Sequence, residues 1–514
     1  MIRTLRSLAR LVTITRSLAR HDALFLLRPY PWGAVAVRIA SAVFRRSPES
    51  SALRPGQRLA LALTELGPTF IKFGQALSTR ADLLGEQVAA DLTGLQDRLP
   101  PFAATAARAT IEADFGVPVA NLFSAFDDTP VAAASIAQVH FAVTTDGKEV
   151  AVKVLRPGVQ AAFARDIDVL FWLAEGVERW APRLRRLKPV EVVATFAATV
   201  RLEMDLRIEA ASAQEMAENF AGHLRFRIPA VDWQRTSEHV LTLERVSGAR
   251  VDDPAGVRAL GLDPEAVVRT AAEVFFTMVF RHGFFHADMH PGNLFVTADG
   301  AIIALDFGIM GRIDADTQRT LGEMLLGFLS RDYIRVAEVH VRAGYVPASK
   351  SVDAFAQACR SIAEPILGKP VAEISIARLL GQLFHITETF EMQTQPQLLL
   401  LQKSMLLAEG VGRRLAPDAN MWELARPLIE DWFQERLGPA ARVTDAVGGA
   451  LESLGRVPAL IGRLDTLATE METGGLRLHP ETARLLRGGR GGSRWLIWAP
   501  WVLALILLAV VLLR

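Results

Sequence analysis

The sequence predicts an α+β protein with an N-terminal helical extension and a C-terminal transmembrane helix, and three observations carry that expectation. Residues 51 to about 130 and 315 to about 485 place apolar residues at three- and four-residue spacing, the period of an amphipathic helix. Residues 131–156 and 225–310 contain the strand-like runs. Trp495 to Leu513 then runs for 19 residues without a charge.

A chain of 514 residues is about three times the usual domain length, so two or three domains are expected. Half the residues are hydrophobic and 22% are charged, which excludes a disordered or fibrous protein. The 57 basic and 56 acidic residues nearly cancel, and nothing in that balance points to nucleic acid. The single cysteine, Cys359, excludes a disulfide framework and any multi-cysteine metal site, and fits a reducing compartment. Only seven of the 57 basic residues are lysine. Each is therefore of interest, because lysine offers a compact point charge that arginine does not.

Both ends suggest a membrane. A 19-residue helix spans about 28 Å, close to the roughly 30 Å hydrocarbon core. Trp495, Trp498 and Trp501 look like an interfacial belt, and Arg484, Arg487, Arg490 and Arg494 precede the span while only Arg514 follows it. That asymmetry places the bulk of the chain in the cytoplasm. Gly488 to Gly492 reads as a tether. The first 50 residues hold nine arginines and two acids, Asp22 and Glu49. Two readings stand for this basic segment: a helix lying on an anionic membrane, or an ordinary helix packing on the domain.

Val131 to Pro157 reads as two strands joined by an Asp146-Gly147 turn. In the second strand Val150, Val152 and Val154 share one face, and Ala151, Lys153 and Leu155 the other. A lysine inside such a strand needs an anionic partner. The loop Ala132-Ala133-Ala134-Ser135-Ile136-Ala137 is built of small residues that would let backbone N–H groups approach a phosphate. Taken alone, an edge hairpin with a snorkelling lysine explains the segment as well. Downstream, Val190 to Phe220 is helical in pattern and offers Glu203, Asp205 and Glu209. On one continuous helix Asp205 and Glu209 share a face and Glu203 lies about 120° from Glu209, so two cations could be served. A solvated charged face is the plainer reading.

The stretch from Phe284 to Gly308 is more specific. It contains Asp288, then Asn293 five residues on, then Asp306-Phe307-Gly308 at the end of a following strand. This is the spacing of a phosphoryl-transfer catalytic loop, with an acid to orient the nucleophile's proton and two hard oxygen donors for Mg²⁺. His286 and His290 have the spacing of a zinc pair, but the glutamate of a zincin motif is absent and Pro291 interrupts the helix. His286 is read as a brace for the loop.

With these motifs in hand, the chain resembles the UbiB family of atypical kinases, which serve ubiquinone biosynthesis, over about residues 50 to 420. The resemblance rests on Lys72-Phe73-Gly74-Gln75, which stands as the family's Lys-x-Gly-Gln motif, and on the segments above in their order. It implies a protein-kinase-like two-lobe fold. Val131, Ala132, Ala133, Ala134, Ser135, Ile136, Ala137 and Gln138 would form the family's alanine-rich nucleotide loop. Lys153 would meet ATP and pair with Glu209, and the backbone from Leu243 to Val246, notably Glu244 and Val246, would meet adenine. Asp288 would be catalytic, and Asn293 and Asp306 would hold Mg²⁺. Lys72, Gln75, Glu203 and Asp205 would regulate, with Lys72 paired to Glu203 over the site. The implied divisions are a basic segment at 1–50, the helical extension at 51–130, lobes at 131–247 and 248–487, a linker at 488–494 and the span at 495–513.

After Asp306-Phe307-Gly308 the chain enters a helical pattern without Ala-Pro-Glu, leaving little room for a peptide-binding activation loop. That argues against a general protein kinase acting in trans, and the resemblance implies a kinase or ATPase at the cytoplasmic face of a bacterial inner membrane. It would act on polyprenylated quinone precursors or lipids, or on other ubiquinone-biosynthesis proteins, and not on nucleic acid. Two other readings stand beside it: a nucleotide- and lipid-binding pseudokinase scaffold, and a small-molecule kinase resembling aminoglycoside phosphotransferases.

Overall fold

The chain forms two units, residues 1–433 and 434–514. A computed structural model describes residues 2–366 apart from 28–36, 41, 45–52, 79–83, 93–94, 96–98 and 181–187, with scattered positions from 382 to 432. The expected linker at 488–494 and span at 495–513 lie outside the described residues. Among the described residues no helix is long and apolar enough to cross a membrane.

The N-terminal helix α1 (Ile2–Arg20) packs against α2 (Pro55–Leu66) and a later helix, α6 (Val159–Trp180). Ile14 and Ala19 are buried, Ser17 Oγ donates to Ala62 O at 3.1 Å, and Arg10 grips Asp166 of α6 through two N–H donors at 2.7 and 2.9 Å. Of the two readings of the basic segment, packing on the domain describes this helix. Next come α3 (Pro68–Ser78), α4 (Glu86–Leu92) and α5 (Ala104–Phe115). Gly74 of α3 sits where a Cβ would come within 2.5 Å of Leu95 Cδ1 and 2.6 Å of Leu63 Cδ1. A Cβ at that position would force the Leu95 and Leu63 side chains to shift for the Lys-x-Gly-Gln helix to stay this close to its neighbours.

A five-stranded antiparallel sheet follows, built from β1 (Phe123–Phe126), β2 (Ala132–Ala133), β3 (Ala137–Thr144), β4 (Glu149–Leu155) and β6 (Val240–Glu244). The strands lie in the order β1-β3-β4-β6, with β2 folded on β3. Because β1 pairs with β3, the sheet takes in residues ahead of the expected boundary at 131. The valines of β4 are buried in a core with Ala107 and Ile111 of α5, and Lys153 faces the other side. Period-two alternation thus sorts the strand into a core face and a site face.

Helices α7 (Pro189–Glu203) and α8 (Leu206–Asn219) replace the single helix expected over 190–220. The break is made by Asp205, extended at φ −116°, ψ 98°, whose carboxylate accepts the Arg207 N–H at 3.1 Å. An N-cap aspartate satisfies an otherwise unpaired helix-end donor, and it outcompetes the continuous helical pattern here. Glu203 and Glu209 diverge because they sit on different helices, not because of their angle around one.

The second lobe has a four-stranded sheet in the order β5 (Phe226–Arg227), β10 (Ile302–Ala304), β9 (Leu294–Val296) and β7 (Ala249–Arg250). A separate pair joins β8 (Phe284–His286) to β11 (Met310–Arg312). Helix α9 (Pro264–Phe276) precedes β8, and α10 (Ala315–Leu329), α11 (Tyr333–Arg342) and α12 (Val352–Ala363) follow β11. The last two form an apolar cluster around Tyr333, Val336 and Phe355.

Candidate active site

Lys153 lies in the middle of β4, opposite Val139 on one side and Leu241 on the other. Its Nζ donates to Glu209 Oε1 at 2.8 Å and Oε2 at 2.9 Å, and to Asp306 Oδ1 at 3.1 Å. Asp205 caps α8, so Glu209 arrives one turn into that helix and is buried. Asp306 follows β10 with φ of +61°, a conformation that costs a non-glycine residue energy and is common where function demands it. Its side chain is half exposed.

One ammonium therefore serves two carboxylates. Burial disfavours the Lys153 cation, yet Asp306 and Glu209 outweigh burial and hold it above the ordinary lysine range. Burial pushes the Glu209 carboxyl up to about 7, against the pull of Lys153. Lys153, opposed by burial and assisted by Lys72, holds the Asp306 carboxyl well below the usual range.

The strand pair β8–β11 brings the stretch from Ala287 to Asn293 and the Asp306 turn together. Ala287 N–H donates to Ile309 O at 3.0 Å, and Leu305 N–H to Asn293 O at 2.7 Å. Asn293 Nδ2 donates to Asp288 O at 3.2 Å, which leaves the amide oxygen of Asn293 as its acceptor. His286 is fully buried, accepts the Asp288 N–H at Nδ1 (3.1 Å) and faces Leu305 O through Nε2 (3.2 Å). It braces the loop as a neutral ring, and burial holds its pKa below the ordinary value. His290 is exposed and its Nδ1 accepts the Gly292 N–H at 3.1 Å. Among the described residues no group of three or more His, Cys, Asp or Glu could hold a metal by itself. Asn293 and Asp306 are hard oxygen donors that suit Mg²⁺, an ion that takes much of its shell from phosphate and water.

Lys72 of α3 pairs with Glu203 at the end of α7, Nζ to Oε2 at 3.0 Å, with both side chains largely buried. Its charge also reaches Asp306. The other two residues expected to regulate make contacts within the helical scaffold. Gln75 Nε2 donates to Leu95 O at 3.3 Å, tying α3 to the segment after α4. Asp205 caps α8 and is held by the Arg207 guanidinium at 2.7 and 2.8 Å.

The alanine-rich segment forms a tight hairpin, with Ala132 opposite Val139, Ala133 opposite Gln138, and Ala134 N–H on Ala137 O at 2.8 Å. Val131 is exposed, while Ser135, Ile136 and Gln138 are buried. Gln138 spends its side chain on the Phe102 backbone and on His140. Glu244 and Val246 stand where β6 leaves the sheet, with the Glu244 N–H on Ala230 O at 2.9 Å and the intervening Arg245 N–H on Glu149 O at 3.1 Å. Sequence reasoning missed Arg156, which binds the loop from behind. The available signal was an arginine placed directly after an apolar strand and before a proline.

Residues 94–340 match the ABC1 atypical kinase-like domain, and 359–420 the UbiB helical domain. Curated relatives bear the name "Probable protein kinase UbiB". The chain is 42% identical to one from Pseudomonas putida (strain W619) over 499 residues, 96% of this chain and 91% of the relative. It is 45% identical to one from Marinobacter nauticus over 395 residues, 76% and 72% of the two chains. Among solved structures, the Mycobacterium tuberculosis protein Rv3197 in complex with erythromycin is similar at a TM-score of 0.51 and 25% identity, covering 69% of this chain and 90% of that one.

Proposed function

The chain belongs to the UbiB family of ABC1-type atypical kinases, enzymes of the phosphotransferase type, and from that premise we propose a membrane-bound, Mg-ATP-dependent role in ubiquinone biosynthesis. The observation that carries this reading is the Lys153–Glu209–Asp306 cluster, linked through Leu305 and Asn293 to Asp288. Lys153 meets the nucleotide phosphates while Glu209 holds its ammonium in place. The alanine-rich hairpin covers the phosphates, and the backbone from Glu244 to Val246 meets adenine. Asn293 and Asp306 hold Mg²⁺, which when bound neutralises the phosphate oxygens. Asp288 orients the nucleophile and accepts its proton. The material acted on is a polyprenylated quinone precursor or lipid, or an enzyme that processes one. Trp495 to Leu513 and the arginines before it support anchorage at the cytoplasmic face of a bacterial inner membrane.

Three measurements test the reading. Thermal shift with MgADP should be lost in Lys153→Ala and Asp306→Asn; wild-type shifts in both would remove the nucleotide assignment. Quinone profiling of a strain lacking the protein should show a defect that the wild-type copy repairs and Asp288→Asn does not. Deleting residues 494–514 should release most of the protein to the soluble fraction with nucleotide binding intact.

A further inference from the structure

The alanine-rich hairpin is fastened at its back by Arg156, the residue that follows β4. Arg156 donates through Nε and Nη2 to Ala134 O at 3.2 and 3.0 Å, and through Nη2 to Pro100 O at 2.8 Å. Its guanidinium lies over the Phe102 ring, 5.4 Å from the centroid, and its backbone N–H donates to Ile136 O at 2.8 Å. Gln138 clamps the same strap of chain, accepting the Phe102 N–H at 2.9 Å and donating to Phe102 O at 3.2 Å. Ile136 packs into the cluster that holds Leu59, Phe70 and Leu95.

Two features of this arrangement are left wanting an anion. Among the described residues Arg156 bonds only to neutral carbonyl groups and no carboxylate pairs with it. A partly buried cation without a counter-charge is costly unless something else in the site makes use of it. At the loop tip, the Ser135 hydroxyl is buried and has no hydrogen-bond partner among the described residues. A trans peptide points its C=O and its next N–H in opposite directions. By holding the Ala134 carbonyl, Arg156 therefore aims the Ser135 N–H away from itself, and by holding the Ile136 carbonyl it does the same for the Ala137 N–H.

We propose that Arg156 is a positioning residue for nucleotide binding: it locks the peptide planes of the alanine-rich loop so that the loop's donors face the polyphosphate. This rests on the nucleotide reading given above. The role needs a planar fork that can grip Ala134 O twice and reach Pro100 O together, so lysine does not replace it.

The test uses the full-length purified protein and displacement of a fluorescent ADP analogue, first by MgADP and then by adenosine. In Arg156→Met and Arg156→Lys the constant for MgADP should rise about tenfold, as expected for lost charge-assisted bonds, while the constant for adenosine stays at the wild-type value. Where the methionine variant fails to fold, the lysine variant carries the test. An equal rise for both ligands marks a general structural role and overturns the proposal, as does no rise for either. Failure of the wild-type protein to bind the analogue at all would overturn the nucleotide reading and this inference with it.

Discussion

Lys72 Nζ lies 3.0 Å from Glu203 Oε2, an ion pair that joins α3 to the end of α7 across more than a hundred residues of sequence. Both side chains are mostly withdrawn from water, at 13% and 8% exposure. Such a pair contributes less by its attraction than it costs to break, because each charge is stranded without the other. The pair braces the helical extension against α7, and the Lys72 charge reaches Asp306 of the candidate active site.

Lys72→Met should therefore lower stability by about 3 kcal/mol, and Glu203→Gln by a comparable amount. The double variant should recover part of the loss, since neither charge is then left alone. Denaturant midpoints of the four proteins give the coupling directly. Strict additivity would mean that the two charges do not depend on each other.

Gly74, two residues along the same helix, is a matter of space. Gly74→Ala should cost about 1–3 kcal/mol through overpacking against Leu63 and Leu95. The cost should shrink in a Leu63→Val background, because valine lacks the Cδ1 atom that the new Cβ meets. An unchanged cost there would place the clash elsewhere.

Asp205 tests the difference between a cap and a regulator. Asp205→Ala should reduce stability by about 1 kcal/mol, while Asp205→Asn, which can still accept the Arg207 N–H, should lose much less. Affinity for MgADP should be the same in the asparagine variant as in wild type. Loss of nucleotide binding in that variant would give Asp205 a role beyond capping.

Buried and half-buried histidines set an acid limit. Burial holds His140, His223, His286 and His340 below their ordinary value of 6.5. Their unfolded forms take up protons as pH falls through 6.5, when the folded forms do not. The unfolded state then binds more protons, so stability present above pH 6.5 is lost as pH falls through that value. For the fully buried rings of His140 and His286 the loss approaches about 1.4 kcal/mol per pH unit each. Urea midpoints between pH 7 and 5.5 should fall, and more gently in a His286→Asn variant. A flat profile would show that these rings are not held neutral.

Much of the site was legible in the residues because its chemistry is local. Asp288, Asn293 and Asp306 stand at separations set by a short loop and one hairpin. A lysine in an apolar strand demanded an anion nearby. Alternation along β4 assigned the core and site faces correctly, since strand geometry leaves no third choice. The helix over 190–220 was read as continuous because its apolar period runs on, and no period reveals that an aspartate side chain will turn back to cap the next helix. Likewise the residues around Lys72 do not name Glu203; that pairing entered only through resemblance to a family.

The sequence by itself determined the class of the protein, an α+β kinase-like chain, and the identity of the candidate groups for phosphoryl transfer. Those properties depend on residue type and on spacing within a few turns of chain. Tertiary structure alone decided that Glu209 and Asp306 share one ammonium, that Gly74 admits α3 to its seat, that the N-terminal helix packs on the domain, and that Arg156 grips the loop at Ala134. Each depends on the approach of segments far apart in sequence. Packing angles and hydrogen-bond directions settle such approaches, and neither leaves a periodic trace in the chain.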